Sequence, residues 1–164
     1  MNAKNPILET ATMTTDPNAA KVIDQLRSFY RGELSAVETY ERALGVASFT
    51  GTVADVLRVC QGSHQKRVGL LRDRLLELGA EVPESSGVWG AMVALLEAAA
   101  VTVGEKVAIG VLEEGEDVGL HDYEQGLDEL DPEDRQLVKS ELLPAQQDTH
   151  RQMSHLKQAI TDGA

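Results

Sequence analysis

The chain has 164 residues, 42% of them hydrophobic, which is enough for one domain with a real core and too much for wholesale disorder. A formal charge of −12 and a pI near 4.7 argue against nucleic acid as a partner, since phosphate contacts need a cationic face. A single cysteine, Cys60, excludes an internal disulfide, and no basic segment followed by an apolar run opens the sequence, so the chain reads as cytoplasmic.

Residues 1–15 show no period and read as a mobile tail ahead of one domain at 16–164. Asp16 and Pro17 form a helix start, an N-cap acid followed by proline at the first helical position. From there Val22, Leu26, Phe29, Glu33, Val37, Tyr40 and Leu44 recur at intervals of four and three and predict a first helix ending near Ser48. A turn at 48–51 leads to a second helix from Thr52 to Leu78, with Leu57, Cys60, His64, Leu71 and Leu75 on its stripe and Gly79 as its stop.

A connector from Glu81 to Gly87 precedes Val88 to Val103, an apolar helical piece too short to span a bilayer and interrupted by Glu97. It is expected to bury Trp89 and Met92 against the bundle or against a second subunit, which makes a homodimer the one protein partner considered. A third helix runs to about Leu130 with Ile109, Leu112, Glu116, Leu120, Tyr123 and Leu127 on its stripe. Asp131 and Pro132 cap a fourth, on which Leu143, Gln147, His150, Met153, Lys157 and Ile160 are read as one side and Pro144 as a kink. The fold class is therefore all-α, an antiparallel four-helix bundle with an extra helix between helices 2 and 3.

The chain also repeats itself. RGELSAVETYERAL, from Arg31 to Leu44, is echoed by EGEDVGLHDYEQGL, from Glu114 to Leu127, and each copy is followed by Gln-x-x-His, at Gln61 to His64 and Gln147 to His150. Two hairpins that each carry one acid and one imidazole at matched places bring two of each to a common level, which is how metal sites are built in helical bundles. Glu33, His64, Glu116 and His150 are the candidate ligands, with Gln61, Gln147, Tyr40, Tyr123 and Glu113 as weak ligands or neighbours. His121 and His155 fall about 140° off the stripe and are expected in solvent. Cys60 reads as a small core residue.

With these residues in view, the chain resembles the ferritin-like superfamily. Its rubrerythrin branch carries Glu-x-x-Ala-x-x-x-Tyr on the first helix, matched by Glu33, Ala36 and Tyr40, and an acid-x-x-His on the next. A similar resemblance, over Ala20 to Ile160, holds to a bacterial family of four-helix-bundle domains of unknown function. The resemblance implies a ferritin-like bundle of two repeated hairpins. It also implies a di-iron site, but Gln61 and Gln147 stand where the pattern has bridging glutamates, and two carboxylates balance one divalent ion rather than two.

The reading is then a bundle with a mononuclear or weak site for iron, zinc or manganese and no organic cofactor. Two alternatives stay open: a non-enzymatic structural or interaction module in which the same residues form a hydrogen-bonded Glu-His-Gln layer, and a degenerate di-iron oxidoreductase of stress metabolism. Whether the protein is an enzyme is left open.

Overall fold

The computed structural model describes residues 17–46, 49–87 and 105–163. All regular structure among these residues is helical: α1 (Pro17–Val46), α2 (Gly51–Glu77), α3 (Glu105–Gly126), a 3-10 turn (Leu127–Glu129), α4 (Pro132–Leu137), a π-helical turn (Val138–Leu142) and α5 (Leu143–Asp162). Together α4, the π turn and α5 form the fourth long rod. The expected tail at 1–15 and the expected helix at Val88 to Val103, with Trp89 and Met92, lie outside the described residues. Among those described, no helix is long and apolar enough to cross a membrane.

Local chemistry sets the ends. Gly79 takes φ +65, a conformation that costs glycine little, and this lets Ala80 N–H reach Leu75 O at 2.9 Å and Gly79 N–H reach Leu76 O at 3.0 Å. These bonds satisfy carbonyls that the end of α2 would otherwise leave open. At the start of α4 the Asp131 carboxylate accepts from Asp134 N–H, with Pro132 in the first turn, as the sequence predicts. The third helix stops at Gly126 and tightens into the 3-10 turn instead of running as α-helix to Leu130.

α1 packs antiparallel on α2 and α3 on α5, so the helices pair as two hairpins. α1 and α3 also run antiparallel, with the Phe29 and Tyr123 rings in tilted contact, their centroids 4.7 Å apart. At that end a Cβ on Gly126 would stand 2.5 Å from the Phe29 ring, so only glycine allows this approach. A second lock joins α2 to α4, where Arg74 Nε donates to the fully buried Asp134 at 2.5 Å.

The apolar core is in two parts. One is built around Tyr40, Leu57, Cys60, Ile109, Leu112 and Met153, the other around Leu26, Phe29, Leu71, Leu75, Tyr123 and Leu142. Between them lies a layer of buried polar side chains.

The fourth rod departs from its expected phase. Val138, Leu142, Gln146, Thr149, Met153 and Leu156 face inward, whereas Leu143 is half-buried, and Gln147 and Lys157 are exposed. One residue along a helix is a rotation of about 100°, so inward Leu142 in place of Leu143 carries Gln147 and His150 off the core face. The π turn precedes Pro144, whose ring crowds the carbonyl of Ser140, four residues back, and whose nitrogen has no hydrogen to offer it. Leu143 N–H bonds instead to Val138 O, five residues back.

Candidate functional site

The polar layer is assembled from four helices. α1 supplies Glu33 and Tyr40, α2 His64 and Arg67, α3 Glu116 and Tyr123, and α5 Gln146 and Thr149; each is at most 4% exposed. Three of the four expected ligands therefore meet. His150 does not: its Nε2 lies 2.6 Å from Asp117 Oδ1 at the surface between α3 and α5, and Thr149 takes the inward place.

His64 stands between the carboxylates. Its Nδ1 is 2.7 Å from Glu33 Oε2 and its Nε2 is 3.0 Å from Glu116 Oε1. Arg67 donates from Nε to Glu33 Oε1 at 2.8 Å, from Nη1 to Ser63 Oγ at 2.9 Å and from Nη2 to Gln146 Oε1 at 2.9 Å. The tyrosines cross between hairpins: Tyr40 donates to Glu116 Oε1 at 2.5 Å and Tyr123 to Glu33 Oε1 at 2.7 Å. Glu116 Oε2 accepts from Gln146 Nε2 at 2.8 Å and Thr149 Oγ1 at 2.7 Å.

This arrangement closes electrically. Two carboxylates face one guanidinium and one imidazole, so the layer is neutral when His64 carries both ring protons. Burial raises the Glu33 carboxyl, but His64 and Arg67 together outweigh it and hold the group at about 2. Burial likewise opposes ionisation of Glu116, and His64, Tyr40 and Thr149 reverse it to below the ordinary range. For His64 burial pushes down while Glu33 and Glu116 push up harder, leaving the imidazole above its ordinary value. Both phenols are driven well up, by burial first and then by the carboxylate each one touches.

One contact constrains the protons. Arg67 Nη2 comes within 2.6 Å of the same His64 Nδ1 that meets Glu33. Nδ1 either donates to Glu33 or accepts from Arg67, and cannot do both. A carboxylate oxygen can only accept, so the 2.7 Å approach of Glu33 Oε2 places the proton on Nδ1, with Nη2 directed to Gln146.

The other expected neighbours lie off the layer. Gln61 donates to Val37 O at 3.5 Å, Gln147 is exposed, and Glu113 accepts from Lys157 and Ser154. Arg67, Gln146 and Thr149 are the members that sequence reasoning missed. Arg67 had a legible signal: two buried acids with one inward imidazole need a further cation, and Arg67 is one turn from His64.

Bound metal requires donors aimed at one point, at about 2.0–2.2 Å for zinc. Here the carboxylates flank opposite nitrogens of one ring, so an ion on Nδ1 would have Glu33 beside it and an ion on Nε2 would have Glu116. Arg67 adds a fixed positive charge against Glu33. In this arrangement the donor set does not fit an ion, and among the described residues no group of three or more His, Cys, Asp or Glu side chains is placed to hold one. Compared with known proteins, the chain matches no family model, no curated protein and no solved structure.

Proposed function

We propose that the protein is a non-enzymatic, ferritin-like helical bundle that acts as a structural or binding module, its midplane held by an ion-paired layer in place of a metal centre. The observation that carries this reading is Arg67, fixed by three side chains and neutralising one of the two carboxylates that a metal would need. A buried carboxylate must be paired, protonated or metal-bound, and Arg67 with His64 supplies the pairing from within the chain. The crossed Tyr40–Glu116 and Tyr123–Glu33 bonds occupy matching places in the two hairpins, which favours the ferritin-like repeat.

The rival is a mononuclear iron, zinc or manganese site on Glu33, His64 and Glu116, favoured by the meeting of those three residues in one layer. Elemental analysis of untagged protein separates the two, run beside Arg67→Met. The ion-pair reading expects substoichiometric metal in the parent and new metal affinity in the variant, where two carboxylates and an imidazole lose their cation. One tightly held ion per parent chain, lost in Glu33→Gln and Glu116→Gln, would reverse the choice.

A further inference from the structure

A cavity of about 60 Å³ lies between α1 and α3 and reaches the polar layer. It is lined on one side by Gly32 and Ala36 and on the other by Val111, Gly115 and Gly119, whose small side chains leave the space between the two helices unfilled. Space of this size admits a molecule of only a few heavy atoms.

The polar groups lining it are unevenly matched. Tyr40 and Tyr123 donate to Glu116 and Glu33, Gln146 Nε2 to Glu116, Thr39 Oγ1 to Ser35 O, and the two nitrogens of His64 face carboxylates. These donors are therefore spent. Acceptors are not: Asp122, half-buried on the lining, has no hydrogen-bond or ion-pair partner among the described residues, and burial raises its carboxyl despite His121 nearby. Arg67 is not part of the lining. Glu33 and Glu116 are neutralised within the layer, so an anion entering here would meet the uncompensated charge of Asp122 and no free donor among the groups named. A small cation with N–H groups would meet acceptors and carbon walls.

We propose that this cavity binds a short primary alkylammonium ion, its charge answered by Asp122 and its carbon chain lying along Gly32, Ala36, Gly115 and Gly119. The inference rests on the metal-free reading of the layer, because a divalent ion at Glu33 and Glu116 would make the layer positive and offset the charge of Asp122.

The test is calorimetric and NMR titration of the untagged full chain, its metal content known, with propylammonium, 1-propanol and propionate as matched probes. Propylammonium is expected to bind and to shift amides of residues 115–122, with propanol about tenfold or more weaker and propionate silent. Asp122→Asn should weaken propylammonium about tenfold by removing the opposing charge. Gly32→Leu, placed where a Cβ meets nothing within 4 Å, should fill the space and abolish binding. Equal affinity for propanol, or full affinity in Asp122→Asn, overturns the proposal. Metal-free protein that binds no probe overturns it and leaves the ion-paired layer standing. Stoichiometric metal with propionate preferred overturns both.

Discussion

Removing the guanidinium of Arg67 leaves the buried Glu33 and Glu116 facing one imidazolium. Breaking a buried pair in this way costs about 3–5 kcal/mol, so Arg67→Met is predicted to lower the free energy of unfolding in urea by that amount. Arg67→Lys keeps the charge but cannot serve Glu33, Ser63 and Gln146 at once, and should fall between parent and Met. A loss under about 1 kcal/mol for Arg67→Met would mean that the layer does not depend on it.

Glu33 gives the layer a signature in pH. Its folded carboxyl sits at about 2, below the ordinary 4.5, so on acidification the unfolded chain takes up the proton first. The stability it contributes is complete above about 4.5 and is lost as pH falls toward 2. Urea midpoints are therefore expected to fall between pH 5 and pH 3, with a shallower fall in Glu33→Gln. Glu116, also lowered, adds in the same direction, whereas His64, raised, contributes at low pH and loses its contribution as pH rises through its folded value. Parallel pH profiles for parent and Glu33→Gln would show that Glu33 does not titrate as the ion pair requires.

At the scale of the helix, glycines in α1 and α3 have different reasons to be there. A Cβ on Gly119 would stand 2.9 Å from Gln146 Nε2, so this glycine leaves room for the amide that bonds both the Glu116 backbone and its carboxylate. Gly119→Ala should push Gln146 off Glu116 and destabilise by about 1–3 kcal/mol, the cost of buried groups left unpaired. Gly32→Ala meets nothing within 4 Å and should stabilise by about 0.5–1 kcal/mol through helix propensity. Thermal unfolding of the two single variants checks the contrast, and equal shifts of one sign would contradict it. The π turn before Pro144 belongs to this scale too, being where the fourth rod sets the phase that brings Gln146 and Thr149 inward.

Across the whole molecule, what the sequence disclosed followed how directly each signal maps onto geometry. The helices of both hairpins were legible because stripes such as Leu26, Phe29, Glu33 and Tyr40 repeat at helical spacing, and because Gly79 and Asp131 with Pro132 stop and start helices by local chemistry. Glu33, His64 and Glu116 were legible as ionisable groups on apolar stripes. His150 was misplaced because the repeat suggested equivalence with His64, while the phase of the fourth rod is set by Val138, Leu142, Met153 and Leu156. Repeated motifs report common spacing along the chain, and a one-residue change of phase is enough to exchange His150 for Thr149. Arg67 was overlooked because a long cation ordinarily reads as surface, and only the charge count of the layer calls it inward.

The layer as described makes His64 an imidazolium that bridges Glu33 and Glu116, with Arg67 bringing the whole to neutrality. Nitrogen-15 NMR of the His64 ring in untagged protein at neutral pH tests it most directly, the signals being assigned by their loss in His64→Gln. Both ring nitrogens are expected to carry protons, each slowed in exchange by burial. A nitrogen of His64 that is unprotonated or bound to metal under those conditions would contradict it.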